Sequence, residues 1–191
     1  YYGLLLDAID IKVKNSYYWV PYQLQKDVSS GSFTMNILTG ITSSIAAYRM
    51  PNLISQLRKE DHEIIAIVTE RAKAFVTPQS LAVMSQNECY TDEDEWRNTD
   101  RVIHIELARW CDLFLVAPLS ANTLAKMANG ICDNLLTSAV RALGGKPLVI
   151  APAMNTLMWD NPVTAIHLEQ LARLYQLHII EPVEKVLADG E

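Results

Sequence analysis

The sequence predicts an open α/β fold, in which a parallel β-sheet is covered by helices on both faces. Two observations predict it. From Asn36 onward, short and continuously apolar runs alternate with longer segments of helical periodicity, and strands that are apolar throughout are typical of parallel sheets. The chain is also apolar enough, at 50% of its 191 residues, to bury the core that such a sheet needs.

Five apolar runs are predicted to be β-strands. Each has an ordinary strand length, and each is bounded by polar or turn-forming residues. In chain order these runs are 36–41, 63–68, 112–117, 147–151 and 177–180. Because helices separate them, neighbouring strands are expected to run parallel.

Six segments repeat apolar residues at helical spacing and are predicted to be helices. In chain order they are 44–59, 71–86, 103–110, 120–129, 133–143 and 162–175. Pro51 and Pro78 fall inside the first two, where a proline breaks or kinks a helix. The acidic segment 88–101 is predicted to be turn-rich, and its run 92–95 is interpreted as a solvated loop without a chemical role. The whole predicts a three-layer sandwich around an open, parallel, Rossmann-like (flavodoxin-like) sheet.

Composition and charge exclude several classes of protein. With 16 Lys+Arg against 22 Asp+Glu, the net charge of −6 argues against a protein that coats nucleic acid or anionic lipid. The longest apolar runs cover about a third of a membrane span, so no membrane helix is predicted. Three cysteines are too few and too scattered for a disulfide framework or a metal site. Together with the lack of a signal-peptide pattern, this predicts a cytoplasmic protein.

The chain divides into two parts by composition. Residues 1–34 hold five of the eight tyrosines and end in a linker-like stretch. They are interpreted either as an extension, tag or linker or as a genuine N-terminal arm, and Met35 as a candidate native start. Residues 35–191 are predicted to form one domain.

Polar or small residues follow the carboxyl end of each of the first four predicted strands. Small or hydrogen-bonding residues occur at 42–44, 69–71, 120–123 and 153–156. The carboxyl ends of parallel strands meet at one edge of the sheet, where ligands of this fold class bind. Each segment taken alone is also an ordinary helix cap. Together they predict a cleft for a flat, polar, phosphorylated ligand that is bound without a glycine-rich loop.

Three sequence blocks carry a resemblance to a known family. They are His104-Ile105-Glu106-Leu107, the run 117–123 (APLSANT) and the run 152–159 (PAMNTLMW), in that order. Shorter matches lie at 44–48, 131–137 and 90–96. Over residues 36–191 the chain resembles the flavin-dependent cysteine decarboxylases, and the last of these matches resembles their eukaryotic branch.

The resemblance implies FMN as cofactor and a set of site residues. His104 matches the family's active-site histidine, and Asn155 matches the asparagine that binds the substrate carboxylate. The implied FMN-binding residues are Ser43, Ser44, Ile45, Thr69, Glu70, Arg71, Ser120, Ala121, Asn122, Thr123 and Ala153. Ala188 and Asp189 match a segment near the substrate, and no metal is implied.

The resemblance leaves the substrate open between two kinds of cysteine carboxylate. One is 4′-phosphopantothenoylcysteine, which is converted to 4′-phosphopantetheine in coenzyme A biosynthesis. The other is a peptide C-terminal cysteine, which is oxidatively decarboxylated to an aminoenethiol. Asp189 stands where the first group usually has a proton-donating cysteine, and the flap that follows it in relatives is absent from this sequence.

Two further expectations follow from the same resemblance. The family implies a homotrimer, or a dodecamer built from trimers. A non-catalytic, flavin-binding regulatory subunit is the alternative to an enzyme, and the presence of both His104 and Asn155 argues against it.

Overall fold

A computed structural model of the protein describes residues 34–97 and 100–182. Its strands form one sheet in which every pairing is parallel. The strands are β1 (Asn36–Ile41), β2 (Glu63–Val68), β3 (Cys89–Tyr90), β4 (Leu113–Leu119), β5 (Leu148–Pro152) and β6 (Leu177–Ile179). Their spatial order is β3-β2-β1-β4-β5-β6, the Rossmann order. The predicted fold class is confirmed.

Helices cover both faces of this sheet. They are α1 (Met50–Lys59), α2 (Pro78–Ser85), α3 (Asp92–Arg97), α4 (Ile103–Trp110), α5 (Ala121–Ala128), α6 (Leu135–Arg141), α7 (Thr156–Trp159) and α8 (Pro162–Leu174). Two 3₁₀ turns, Ile45–Arg49 and Glu70–Ala74, precede α1 and α2. Pro51 and Pro78 lie in the first turns of α1 and α2, so they begin helices where continuous helices were predicted, because a first-turn proline loses no hydrogen bond.

The segment 88–101 was wrongly predicted to be turn-rich. It contains β3, whose two residues pair with β2, and α3, which carries the acidic run. The Asp94 carboxylate accepts hydrogen bonds from the backbone N–H (2.7 Å) and hydroxyl (2.8 Å) of Thr91, directly before α3. Acidic side chains also favour the first turn of a helix, where the macrodipole is positive.

The two faces of the sheet hold separate apolar clusters. One face packs β-strand residues such as Ile37 and Leu115 against Ile54 and Leu57 of α1. The other packs Leu38 and Phe114 against α4, α5, α6 and Leu171 of α8. A Cβ on Gly40 would lie 2.8 Å from the Leu136 Cδ1 atom, so any larger residue here would require the Leu136 side chain to move.

Lys146 holds the C-terminal end of α4. Its Nζ donates to the carbonyl oxygens of Ala108 (2.8 Å), Arg109 (2.8 Å) and Cys111 (2.6 Å). These are carbonyls that a helix end leaves without intrahelical partners, and a cation there also complements the helix dipole. The contact fixes the position of the helix that carries His104.

Two of the three cysteines are held as thiols by their surroundings. Burial raises the pKa of Cys89 to about 12 and that of Cys111 to about 11, while Cys132 is exposed. Within residues 34–97 and 100–182 no group of three metal-ligating side chains is close enough to hold an ion. None of the helices described there is long and apolar enough to cross a bilayer.

Candidate functional site

The chain reverses its winding between β1 and β4. These strands are neighbours, but the helix after β1 packs on one face of the sheet and the helix after β4 packs on the other. The two connections therefore diverge at the carboxyl ends of the strands and leave a crevice between them. This is the switch point at which open α/β sheets bind their ligands.

Hydrogen bonds tie the strand ends to one another across this edge. The Thr42 hydroxyl donates to the Pro118 carbonyl (2.7 Å) and accepts from the backbone N–H of Ser120 (2.8 Å). The backbone N–H of Thr69 donates to Ile41 (3.0 Å), and that of Ala153 donates to Leu119 (2.9 Å). The four polar segments that follow β2, β1, β4 and β5 therefore lie side by side.

The loop after β1 carries two serine hydroxyls, and its backbone conformation does not require glycine. Ser44 caps the 3₁₀ turn, with its hydroxyl accepting from the backbone N–H of Ala46 at 3.4 Å. Ser43 is half-buried, and Ile45 is 60% exposed. Among the described non-glycine residues only Asp61 and Gln86 have positive φ, so the backbone accepts serine at position 43 without strain.

The segment after β2 uses two of its three predicted residues in the fold. The Thr69 hydroxyl is buried and donates to the Ile41 carbonyl at 3.3 Å, and the Glu70 carboxylate pairs with Lys73 at 2.6 Å. Arg71 is exposed. It is therefore the residue of this segment best suited to meet an anionic ligand.

The segment after β4 begins α5 with a hydroxyl cap. The Ser120 hydroxyl accepts from the backbone N–H of Thr123 at 3.3 Å, and both residues are buried. Ala121 is half-buried and Asn122 is exposed. The helix start presents a positive dipole end at the switch point, which is the electrostatic requirement for a phosphate or a polar ring edge.

The segment after β5 places Asn155 at the start of α7, with Ala153 half-buried before it. The Asn155 side-chain oxygen accepts from the backbone N–H of Leu157 at 2.8 Å. Because the oxygen is engaged in this cap, the donor end of the amide points the other way. A donating amide without charge suits the binding of a carboxylate.

Glu95, which lies in the acidic run predicted to have no chemical role, holds His104. Its Nδ1 is hydrogen-bonded to one carboxylate oxygen of Glu95, and its backbone N–H donates to the other at 3.0 Å. The Glu95 side chain is only 10% exposed and that of His104 is 27% exposed. The interpretation of the acidic run as a solvated loop without a role is wrong for Glu95, because helix formation turns this carboxylate inward.

The acidic helix α3 caps two other helices. Glu95 accepts from the first turn of α4, and Asp92 accepts from the backbone N–H of Leu135, the first residue of α6, at 2.9 Å. Burial raises the pKa of Asp92 above its ordinary value, so its charge is kept at some cost to serve this cap. The match of 90–96 to one branch of a family was the signal that could have drawn attention to these residues.

The structure brings some predicted residues together and leaves others unconnected. The strand-end residues share one edge of the sheet, whereas in the part described no hydrogen bond joins His104 to Asn155 or to the strand-end loops. Ala188 and Asp189 lie outside the described residues, as do residues 1–33.

Comparisons with known proteins show that this chain is similar to flavoproteins. The Flavoprotein family matches residues 26–191. Phosphopantothenoylcysteine decarboxylase of Mus musculus is 49% identical over 172 residues, which are 86% of this chain and 81% of that protein. A probable thymidylate synthase of Schizosaccharomyces pombe is 44% identical over 178 residues, and the matched region is 90% of this chain but only 28% of that protein.

Solved structures show the same likeness. A PPC decarboxylase mutant complexed with pantothenoylaminoethenethiol is 45% identical, with a TM-score of 0.76 over 83% of this chain and 87% of that chain. The peptidyl-cysteine decarboxylase EpiD is 29% identical, with a TM-score of 0.69 over 78% of this chain and 88% of that chain.

Proposed function

The chain belongs to the flavoprotein family, and from that premise we propose that it is an FMN-dependent decarboxylase of a cysteine carboxylate, with 4′-phosphopantothenoylcysteine as substrate. The observation that carries the proposal is the likeness, in sequence and structure together, to proteins named for that reaction. Similarity to the peptidyl-cysteine enzyme is lower on both measures, which favours the small substrate over a peptide.

The residues at the strand ends fit FMN. At the switch point the chain offers the Ser43 and Ser44 hydroxyls, the start of α5 at Ser120 and the exposed Arg71. An edge lined by hydroxyl and N–H groups, with an exposed cation after the neighbouring strand, suits a phosphate. When bound, FMN would supply the oxidation that makes a cysteine carboxylate ready to leave as CO₂.

Two side chains would act on the substrate itself. The Asn155 amide would donate to the departing carboxylate, orienting it without neutralising it. The His104 ring, whose Nδ1 is engaged by Glu95, would offer Nε2 to take or return a proton or to position the substrate.

A second substrate class is favoured by one feature of the sequence. Asp189 stands where the resemblance implies a proton-donating cysteine. Without that thiol, the reaction would stop at the oxidised enethiol, as it does for peptide C-terminal cysteines.

Mass spectrometry of parallel incubations tests these alternatives. The FMN-loaded protein is incubated with phosphopantothenoylcysteine and with a peptide ending in cysteine. We expect a loss of about 44 Da from phosphopantothenoylcysteine, which is decarboxylation with reduction of the intermediate. A loss of about 46 Da, from either substrate, would mean oxidative decarboxylation instead. A flavin-loaded protein that changes the mass of neither would contradict the enzyme proposal and favour the regulatory-subunit alternative.

We also propose that the chain works as a homotrimer, or as a dodecamer of trimers, in the cytoplasm. Large apolar side chains stand exposed beside the strand-end loops, as a buried subunit contact requires. They include Ile45 (60%), Tyr48 (55%), Leu157 (76%) and Met158 (49%). Analytical ultracentrifugation of the holoprotein is expected to show a multiple of three chains, and a monomeric mass would contradict the assembly.

Imaging of the tagged full-length protein would test the location.

A further inference from the structure

Helices α3 and α4 are joined by the contact between Glu95 and His104. We propose that Glu95 is a positioning residue for His104: its carboxylate holds the ring proton on Nδ1 and sets the ring orientation, so that Nε2 is the nitrogen presented to ligands. The relevance of this contact to catalysis rests on the proposed function, whereas the contact itself does not.

With Glu95 ionised, this geometry allows one arrangement of protons. An ionised carboxylate has acceptors only. One oxygen of Glu95 accepts the backbone N–H of His104 at 3.0 Å, and the other meets Nδ1. Nδ1 must therefore carry a hydrogen, and in the neutral ring Nε2 is then the acceptor.

The same carboxylate also replaces a missing cap. Val102, at the N-cap of α4, has no side-chain hydrogen bond to the helix. Glu95 reaches the second residue of α4 from a different helix and satisfies a backbone donor that would otherwise lack a partner. The backbone and the ring of His104 are thus held by one group, and rotation of the ring would break one of two bonds from the same carboxylate.

The nearby arginines form ion pairs with carboxylates other than Glu95. Arg101 pairs with Glu106 at 2.5 Å, and Arg97 pairs with Glu93 at 3.4 Å. Helix α3 is anchored at its other end by Asp92, which accepts from the backbone of Leu135. The Glu95 carboxylate is mostly buried, lies on an anchored helix and is hydrogen-bonded to His104. A residue that orients an active-site histidine needs these three properties.

Glu95→Gln tests the inference with little change of shape. The glutamine oxygen can accept the backbone N–H, which leaves its NH₂ group facing Nδ1. Nδ1 must then accept, and the ring proton moves to Nε2. Nitrogen-15 NMR of histidine-labelled holoprotein is expected to show His104 protonated at Nδ1 in the wild type and at Nε2 in the variant. We expect kcat to fall about 10²-fold or more, with a smaller change in KM, because the wrong nitrogen is presented.

Glu93→Gln is the matched control. It removes the same charge from the same helix, but Glu93 is exposed and pairs with Arg97 rather than with His104. The control is expected to keep the Nδ1 tautomer and to stay within about twofold of wild-type turnover. The signal of His104 among the four histidines is assigned by its loss in His104→Asn.

Glu95→Ala, alone and combined with Val102→Ser, separates orientation from stability. Alanine has no acceptor for the His104 backbone N–H, and the loss of this cap is expected to lower the Tm by about 2–4 °C. Serine at the N-cap can accept from the first turn of α4 and restore that Tm, but it cannot hold the ring. We expect the double variant to keep a low kcat and a His104 ring whose proton is no longer held on Nδ1. If it regained the Nδ1 tautomer and wild-type turnover, Glu95 would be a cap alone and the inference would be overturned.

The two proposals fail in different ways. A wild-type His104 without a proton on Nδ1, or a Glu95→Gln variant that matches Glu93→Gln in tautomer and kcat, would overturn the role of Glu95 while leaving the decarboxylase intact. The expected tautomer switch in a protein that turns over neither substrate would support the contact and contradict the proposed function.

Discussion

His104→Asn is expected to lower kcat by about 10³-fold or more while FMN affinity stays within about twofold of wild type. Asparagine has an amide N–H close to where Nδ1 stands, so it can keep the bond to Glu95 that anchors the ring. It has no counterpart of Nε2. The substitution therefore removes the group that would meet the substrate and leaves the packing of α4 in place.

Turnover of phosphopantothenoylcysteine and fluorescence titration of FMN measure the two effects separately. His167→Asn is a suitable control, since His167 lies on α8, away from α4, and is expected to leave both unchanged. Loss of FMN from His104→Asn at normal turnover per bound flavin would assign His104 to structure. Unchanged turnover would remove it from the reaction.

Asn155→Asp is expected to lower kcat/KM by about 10³-fold while keeping the cap of α7. Aspartate caps a helix as well as asparagine does, so the contact to the backbone of Leu157 (2.8 Å) is retained. The donating NH₂ group is replaced by a second acceptor that is negatively charged. Loss of a charge-assisted hydrogen bond and repulsion of the substrate carboxylate each cost about 1.5–4 kcal/mol at a partly buried site.

The chain contains a matched control for this change. Asn161 caps α8 in the same way, with its side-chain oxygen accepting from Val163 at 3.0 Å, and Asn161→Asp is expected to leave turnover and Tm unchanged. Asn155→Ser, which keeps a cap acceptor but adds no charge, is expected to fall between wild type and Asn155→Asp. A stable Asn155→Asp variant within tenfold of wild-type kcat/KM would show that Asn155 is only a cap.

The sheet was predictable because its signals are local. Continuous apolar runs such as β1 and β5 are buried on both faces, and burial on both faces removes the alternation that an exposed strand would show. The polar segments after the strands could be placed at one edge for a similar reason, since parallel strands must end on the same side. Thr42, Thr69 and Ala153 then supplied the hydrogen bonds that tie these ends together.

Shorter elements could not be predicted from the sequence, because residues distant in the chain stabilise them. β3 has two residues and is a strand only by pairing with Ala66 and Ile67 of β2. β4 continues past Pro118 through a register shift between Val116 and Leu119, where a proline is tolerated because the regular ladder is already interrupted. Neither feature has a periodicity that a window of sequence can reveal.

By itself the sequence determined the fold class, the edge of the sheet at which the candidate site lies and the family resemblance, because these depend on the order of apolar runs and on contiguous blocks. The tertiary structure alone decided how those residues are used. It assigned the Thr69 hydroxyl to the fold, turned the acidic helix inward and joined Glu95 to His104 across nine positions of chain. The physical reason is that a carboxylate finds its partner by the packing of one helix against another, and no local pattern of charges specifies that packing.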